Sequence, residues 1–326
     1  MRRREFIAGV GGVTAMVCLS PIGARAQPAA KTWRVGFLAY VTDNGPAEVK
    51  QRLQELGYVE GKNLIFQIHS AEGRAERLPE LAAALVKSNP DAIIAGFGTV
   101  TAQAVKAATS TIPVVFASVG DPIETGIVQS LSRPGANITG LHSQAAEIAG
   151  KRLQILQELT PEMRALAVVM NPGPFTTVAL QDLKVAAEAR GVRIEACEGQ
   201  TVEQLSVSVA AAVAAGASAL TILETPLLLG LRQGIVDLAA KHRLPAIYST
   251  RDFVAAGGLL SYGADRGRLY RRAAELADKI LQGAKPADIP VEQPTKFEFV
   301  INLAAARALG IQIPNTLLAT ADEVIE

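Results

Sequence analysis

The sequence predicts an α/β protein built of doubly wound, mostly parallel sheets, and three observations predict it. Short β-branched runs alternate with amphipathic stretches along the chain, several of those runs are almost continuously apolar, and the pattern restarts partway along. A continuously apolar run suits a parallel strand with helices on both faces, because neither face then meets water. Strand, helix and strand repeated in this way define the class.

In chain order, the first strands are expected at 33–39, 63–68, 91–96 and 113–117, with amphipathic helices at 75–88 and 99–109 between them. A long polar-flanked helix at 147–159 follows and closes at Thr160-Pro161-Glu162. The pattern then restarts with strands at 165–170, 192–196, 219–223, 245–248 and 258–262 and helices at 177–190 and 226–243. The chain thus repeats a half-domain and has two sheets. After Gly283 a proline-rich stretch, 285–294, reads as an extended crossover between lobes, and a last helix is expected at 302–309.

Residues 2–26 have the parts of a secretory signal. Arg2, Arg3 and Arg4 form a positive start, a glycine-rich apolar stretch follows, and Ala24-Arg25-Ala26 is a cleavage site that leaves Gln27 first. Arg3-Arg4-Glu5-Phe6-Ile7 resembles the twin-arginine pattern. The apolar stretch is too short and glycine-rich for a membrane span, so no stable membrane insertion is expected after cleavage.

Removing residues 1–26 takes away four of 32 basic side chains (Arg2, Arg3, Arg4, Arg25) and one of 31 acidic ones (Glu5), leaving a net charge of about −2. A nucleic-acid partner is therefore not expected. Cys18 leaves with the signal, so Cys197 stands alone and no intrachain disulfide forms. With 49% hydrophobic residues the chain can fill two ordinary domains by core packing.

Ligands of doubly wound sheets bind beyond the carboxyl ends of the strands, at helix amino ends. Six such loops are legible: 39–44, 96–101, 118–122, 171–177, 224–226 and 249–252. Nearly all are small, hydroxylic or glycine-bearing, and Thr225 before Pro226 is a strong helix start. Each alone is a good cap; six together point to a ligand cleft.

Enzymatic and metal motifs are weak. Gly96-x-Gly98 is followed by Thr101 where a dinucleotide fingerprint needs glycine, 116–120 lacks the first glycine of a nucleophile elbow, and no phosphate-binding loop or metal-protease motif occurs. His69, His142 and His242 are scattered, so no metal or cofactor is expected. Glu224, Asp121 and Asp265 are the acids that an enzyme would use.

The block Val115-Phe116-Ala117-Ser118-Val119-Gly120-Asp121-Pro122, continuing through Gly126 to Leu131 and Arg133-Pro134-Gly135-Ala136-Asn137-Ile138-Thr139-Gly140, resembles the ABC transporter substrate-binding proteins that include tryptophan- and tyrosine-binding members. Glu55-Leu56-Gly57-Tyr58-Val59-Glu60-Gly61-Lys62-Asn63, Arg307-Ala308-Leu309-Gly310-Ile311 and the leader are similar to that family too. Ala136 departs from it, a second glycine being common there.

The resemblance implies a type I periplasmic binding protein fold: two lobes joined by a three-crossover hinge and closing on a ligand. Lobe one would take 32–143 and 251–283, and lobe two 144–250 and 284–326. Gly98, Thr99 and Thr101 would offer donors to a carboxylate, with Ser118 and Asp121 on the next loop, Asp121 holding an amino group or serving a turn. Asn171, Glu224 and Arg251 would close from lobe two, and Tyr40 and Tyr262 would stack on the ligand. Function is then expected to be periplasmic capture of an amino acid or aromatic or carboxylate compound for an ABC permease and ATPase. The alternatives are an exported sensor and an exported hydrolase using Asp121 or Glu224.

Overall fold

The structure is a computed structural model that describes residues 31–144 and 148–326; the leader read at 1–26 lies outside the described residues, as does Glu147. The first half lays down β1 (Trp33–Ala39), α1 (Gly45–Glu55), β2 (Leu64–Ser70), α2 (Leu78–Lys87), β3 (Ala92–Phe97), α3 (Thr99–Ala108), β4 (Val114–Val119) and β5 (Ile138–His142). These five strands form one parallel sheet in the order β2-β1-β3-β4-β5. Every residue of β4 is buried and all but Ser118 are apolar, as suits a strand covered on both faces.

The second half continues with α4 (Ala149–Leu159), β6 (Ala165–Met170), α5 (Pro174–Glu188), β7 (Arg193–Glu198), α6 (Val202–Ala214) and β8 (Ala219–Ile222). Then come α7 (Pro226–Gly230), α8 (Arg232–Lys241), β9 (Ala246–Tyr248), α9 (Arg251–Ala255) and β10 (Leu260–Ala264). α10 (Arg266–Leu281) follows, and the chain ends in β11 (Phe297–Asn302), α11 (Leu303–Leu309), α12 (Asn315–Thr320) and β12 (Glu323–Ile325). Seven strands make the second sheet, ordered β12-β11-β10-β9-β8-β6-β7. Among the described residues no helix is long and apolar enough to cross a membrane.

The two lobes exchange chain beside β5, after β10 and after Glu292. The first and third passages run side by side: His142 N–H donates to the Glu292 carbonyl at 2.9 Å, and Glu292 N–H to that of Gly140 at 3.0 Å. The middle passage corrects the boundaries read from sequence. Arg251 to Ala264 belong with the second sheet, because β10 pairs parallel to β9 before the chain leaves. α10 then packs on the first lobe, burying Leu269, Tyr270, Ala273, Ala274, Leu276 and Ala277. Residues up to Glu292 stay there too: Ile289 is buried in that core, and its carbonyl accepts from the Thr139 hydroxyl at 2.7 Å. The return past Glu292 explains why β11, with β12 parallel to it, runs antiparallel to the rest of the sheet. The chain re-enters at the end of β10 from which it left, pairing Phe297 with Ala264.

The expected helix at 226–243 breaks at Leu231 into α7 and α8. β5, β11 and β12 were not among the strands expected. Gly140 interrupts the apolar run of β5, and the Phe-Glu-Phe start of β11 alternates instead of running apolar.

Candidate functional site

A cavity of about 370 Å³ lies between the lobes at the carboxyl ends of β1, β3, β4, β6 and β8. This size is that of ordinary small-molecule sites. One wall is the amino end of α3, with Gly98, Thr99 and Val100; Tyr40, Gln103, Ser118 and Thr125 extend it. The facing wall has Asn171, Pro172, Gly173 and Thr176 from the β6–α5 loop, then Gln200, Glu224, Thr225, Pro226 and Leu227. Ser143, in the first passage between lobes, closes one side.

The lobes touch across this cleft through α7. A Cβ added to Gly98 would lie 2.1 Å from Pro226 Cγ, and Gly98 has φ +102°, so both the close approach and the backbone require glycine. Leu227 packs against the core of lobe one, and Val41 and Phe97 pack against the core of lobe two. Thr225 sets the helix start, as Thr-Pro predicts: its hydroxyl accepts from Leu228 N–H at 3.4 Å and donates to Asn171 Oδ1.

Of the ten residues singled out from sequence, Tyr40, Gly98, Thr99, Ser118, Asn171 and Glu224 line the cavity. The other four do not. Thr101 is fully buried and donates to the Phe97 carbonyl at 3.1 Å, as an inward-facing residue of a first helical turn does. Asp121 Oδ1 accepts from Ile123 and Glu124 N–H, both at 2.9 Å, so it caps a turn before Pro122. Arg251 sits outside, donating to both Glu323 carboxylate oxygens at 2.9 and 2.7 Å. Tyr262 stacks on Phe297 at 5.9 Å in the core of lobe two. Asp265, an acid considered for catalysis, caps α10 by accepting from Arg268 N–H at 3.1 Å.

Beneath the cavity lies a void of about 10 Å³ lined by Phe97, Ser118, Ser143, Arg152, Glu224, Ser249, Thr250 and Arg266. Glu224 belongs to both spaces. Its Oε1 is buried without a protein partner, as are Ser249 Oγ, Thr250 Oγ1 and Arg266 Nε. Burial pushes the Glu224 carboxyl above its ordinary value, against the opposing pull of Arg266 and then Arg152. Burial lowers Arg152 to about 10, and its Nε–H donates to the Tyr262 carbonyl at 2.7 Å. Burial likewise pulls Arg266 down, but Tyr270, Asp252, Asp43 and Glu224 outweigh it and hold it above the ordinary arginine value. Arg152 escaped the sequence reading because it lies inside α4, and Arg266 because the end of β10 was not among the six loops read as a ligand cleft. Among the described residues no group of His, Cys, Asp and Glu is placed to hold a metal.

A ligand cleft between two doubly wound lobes, floored by a charged layer, defines a binding protein of the two-lobed periplasmic class. The chain belongs to the family of ABC transporter substrate-binding proteins, whose model matches residues 42–325. Members of this family bind solutes and are not enzymes. A tyrosine-binding protein of Clostridioides difficile is 28% identical over 264 residues, 80% of this chain and 74% of that protein. A conserved domain protein from Vibrio cholerae superposes with a TM-score of 0.83 at 29% identity, over 90% of this chain and 100% of that one. The ABC domain from Streptococcus pneumoniae in complex with L-Trp has a TM-score of 0.80 at 25% identity, covering 89% and 100%.

Proposed function

We propose that this protein is exported by its amino-terminal signal and captures an α-amino acid with an apolar or aromatic side chain in the periplasm, delivering it to an ABC permease and ATPase. One observation carries the ligand class: Glu224, whose Oε1 is buried without a hydrogen-bond partner, lines the same cavity as the amino end of α3. A free amino acid has one end for each. Its carboxylate meets the orphan N–H groups of Thr99 and Val100 with the Thr99 hydroxyl, and its ammonium forms a charge-assisted hydrogen bond with Glu224. Phe97, Pro172, Pro226 and Leu227 give the side chain an apolar surface, and Tyr40, Ser118 and Asn171 supply hydrogen-bonding groups around it. The relatives named for tyrosine and L-Trp support this class.

The test is thermal stability of the purified protein against a panel of amino acids, aromatic acids, nucleosides and sugars. A ligand at about 100 times its dissociation constant adds roughly 2.7 kcal/mol. Stabilisation by tyrosine, tryptophan or another apolar amino acid, recovered unchanged, is expected. Stabilisation by nucleosides or sugars alone would overturn the ligand class, and a chemically altered compound would overturn the binding role.

A further inference from the structure

Arg266 is the first residue of α10, where the chain has just left the second sheet for the first lobe. Its guanidinium reaches in three directions. Nη1 donates to Asp252 Oδ2 at 2.9 Å, on α9 of lobe two. Nη2 donates to Asp43 Oδ2, in the β1–α1 loop of lobe one. The guanidinium carbon also lies 4.7 Å from the centre of the Phe97 ring, which lines the ligand cavity, and 5.9 Å from that of Tyr270.

The lobe-one arm is braced. Tyr270 Oη donates to Asp43 Oδ2 at 2.8 Å and accepts from Phe97 N–H at 3.3 Å, while Asp43 Oδ1 accepts from Gly45 N–H at 2.9 Å. Arg266 and Asp43 are 11% and 10% exposed at their side chains, so this arm is nearly dry; Asp252, at 37%, is not. The third nitrogen, Nε, has no protein partner, and Arg266 borders the small void that Glu224 also lines.

We propose that Arg266 is a positioning residue that couples ligand capture to closure of the lobes. The inference rests on the amino-acid reading of the cavity for its probe, but not for its geometry. Moving the lobes apart separates Asp252 from Asp43, and one guanidinium cannot then hold both. A ligand bonded to Glu224 and packed on Phe97 favours the arrangement in which Arg266 bridges, and by linkage the bridge raises affinity for the ligand by the same factor. Arginine suits the role because its planar fork bonds two carboxylates at once and stacks on an aromatic face, which lysine cannot do.

The test uses the chain carrying Cys18→Ser, with spin labels on cysteines introduced by Glu80→Cys on α2 and Val207→Cys on α6, both exposed and one on each lobe. Cys197 does not interfere, being fully buried with its thiol pushed up to about 12. Distances are recorded with and without L-tyrosine, and again with L-tryptophan, for the wild type, Arg266→Met, Arg266→Lys and Asp252→Asn. Arg266→Met and Asp252→Asn are expected to shift the distribution toward longer distances in both conditions and to weaken binding roughly 5- to 150-fold. Arg266→Lys is expected to recover only part of the effect. Asp252→Asn keeps the test sound if Arg266→Met folds poorly, since Asp252 is half-exposed. Unchanged distances and affinities in Asp252→Asn, or full rescue by lysine, would overturn the coupling role. A wild type that closes with neither amino acid would overturn the ligand class instead, and the comparison without ligand would still decide the role of Arg266.

Discussion

A carboxylate removed from water is costly unless each oxygen is hydrogen-bonded, and Glu224, which lines the cavity, has one buried oxygen without a partner. Glu224→Gln is therefore expected to lower affinity for the ligand by roughly 1.5–3 kcal/mol, measured by calorimetry. Its pH dependence has a definite sign. Ammonium binding needs the ionised form, and burial raises the carboxyl above its ordinary value. Affinity is thus full above the raised value and falls as pH drops through it, beginning higher than an ordinary carboxylate would; Glu224→Gln is expected to abolish that dependence. The stability term runs the other way: a raised carboxyl contributes stability in acid, and that contribution is lost as pH rises through the folded value. Gly98→Ala tests the opposite wall. Its methyl group strikes Pro226 and its backbone has positive φ, so both melting temperature and ligand affinity are expected to fall, by at least about 1 kcal/mol each. Residue types at strand ends were legible, but side-chain directions were not. Tyr262 turned to the core because β11, unseen in the sequence, brings Phe297 and Phe299 against it. Arg251 turned outward because β12 places Glu323 there.

At the scale of elements, α10 is the piece on which both lobes depend. Its buried stripe, with Leu276 and Ala277 fully covered, packs on α1, β3 and β4, while its first residue reaches into the second lobe. Leu276→Ala is expected to cost about 2–5 kcal/mol, read from the denaturation midpoint. Strands such as β4 and β6 could be read directly, because a parallel strand covered on both faces is apolar at nearly every position. Which sheet a strand joins could not. The run at 258–262 reads the same in either lobe, and only pairing with β9 settles it. The split of α7 from α8 was equally hidden, since Leu231-Arg232 continues a good helical pattern.

For the whole molecule, two sheets with their strand ends facing create the cleft, and three passages of chain join them. The cleft was legible as six small, hydroxylic loops at strand ends; five line the cavity, and the sixth, at Ser249 and Thr250, lines the void beneath. The arginine layer was not legible, because it forms only when α4, β8 and α10, distant in sequence, converge. Arg152 and Arg266 lie near one carboxylate and partly compensate its buried charge. Recognition of both charged ends of an amino acid is tested by calorimetric titration with L-tyrosine and two of its analogues. One analogue lacks the amino group and the other the carboxylate. Strong binding of the intact amino acid, with each analogue weaker by about tenfold or more for its lost charge-assisted bond, is the predicted result. An analogue without its amino group that binds as tightly as tyrosine would contradict the role of Glu224 and, with it, the amino-acid reading.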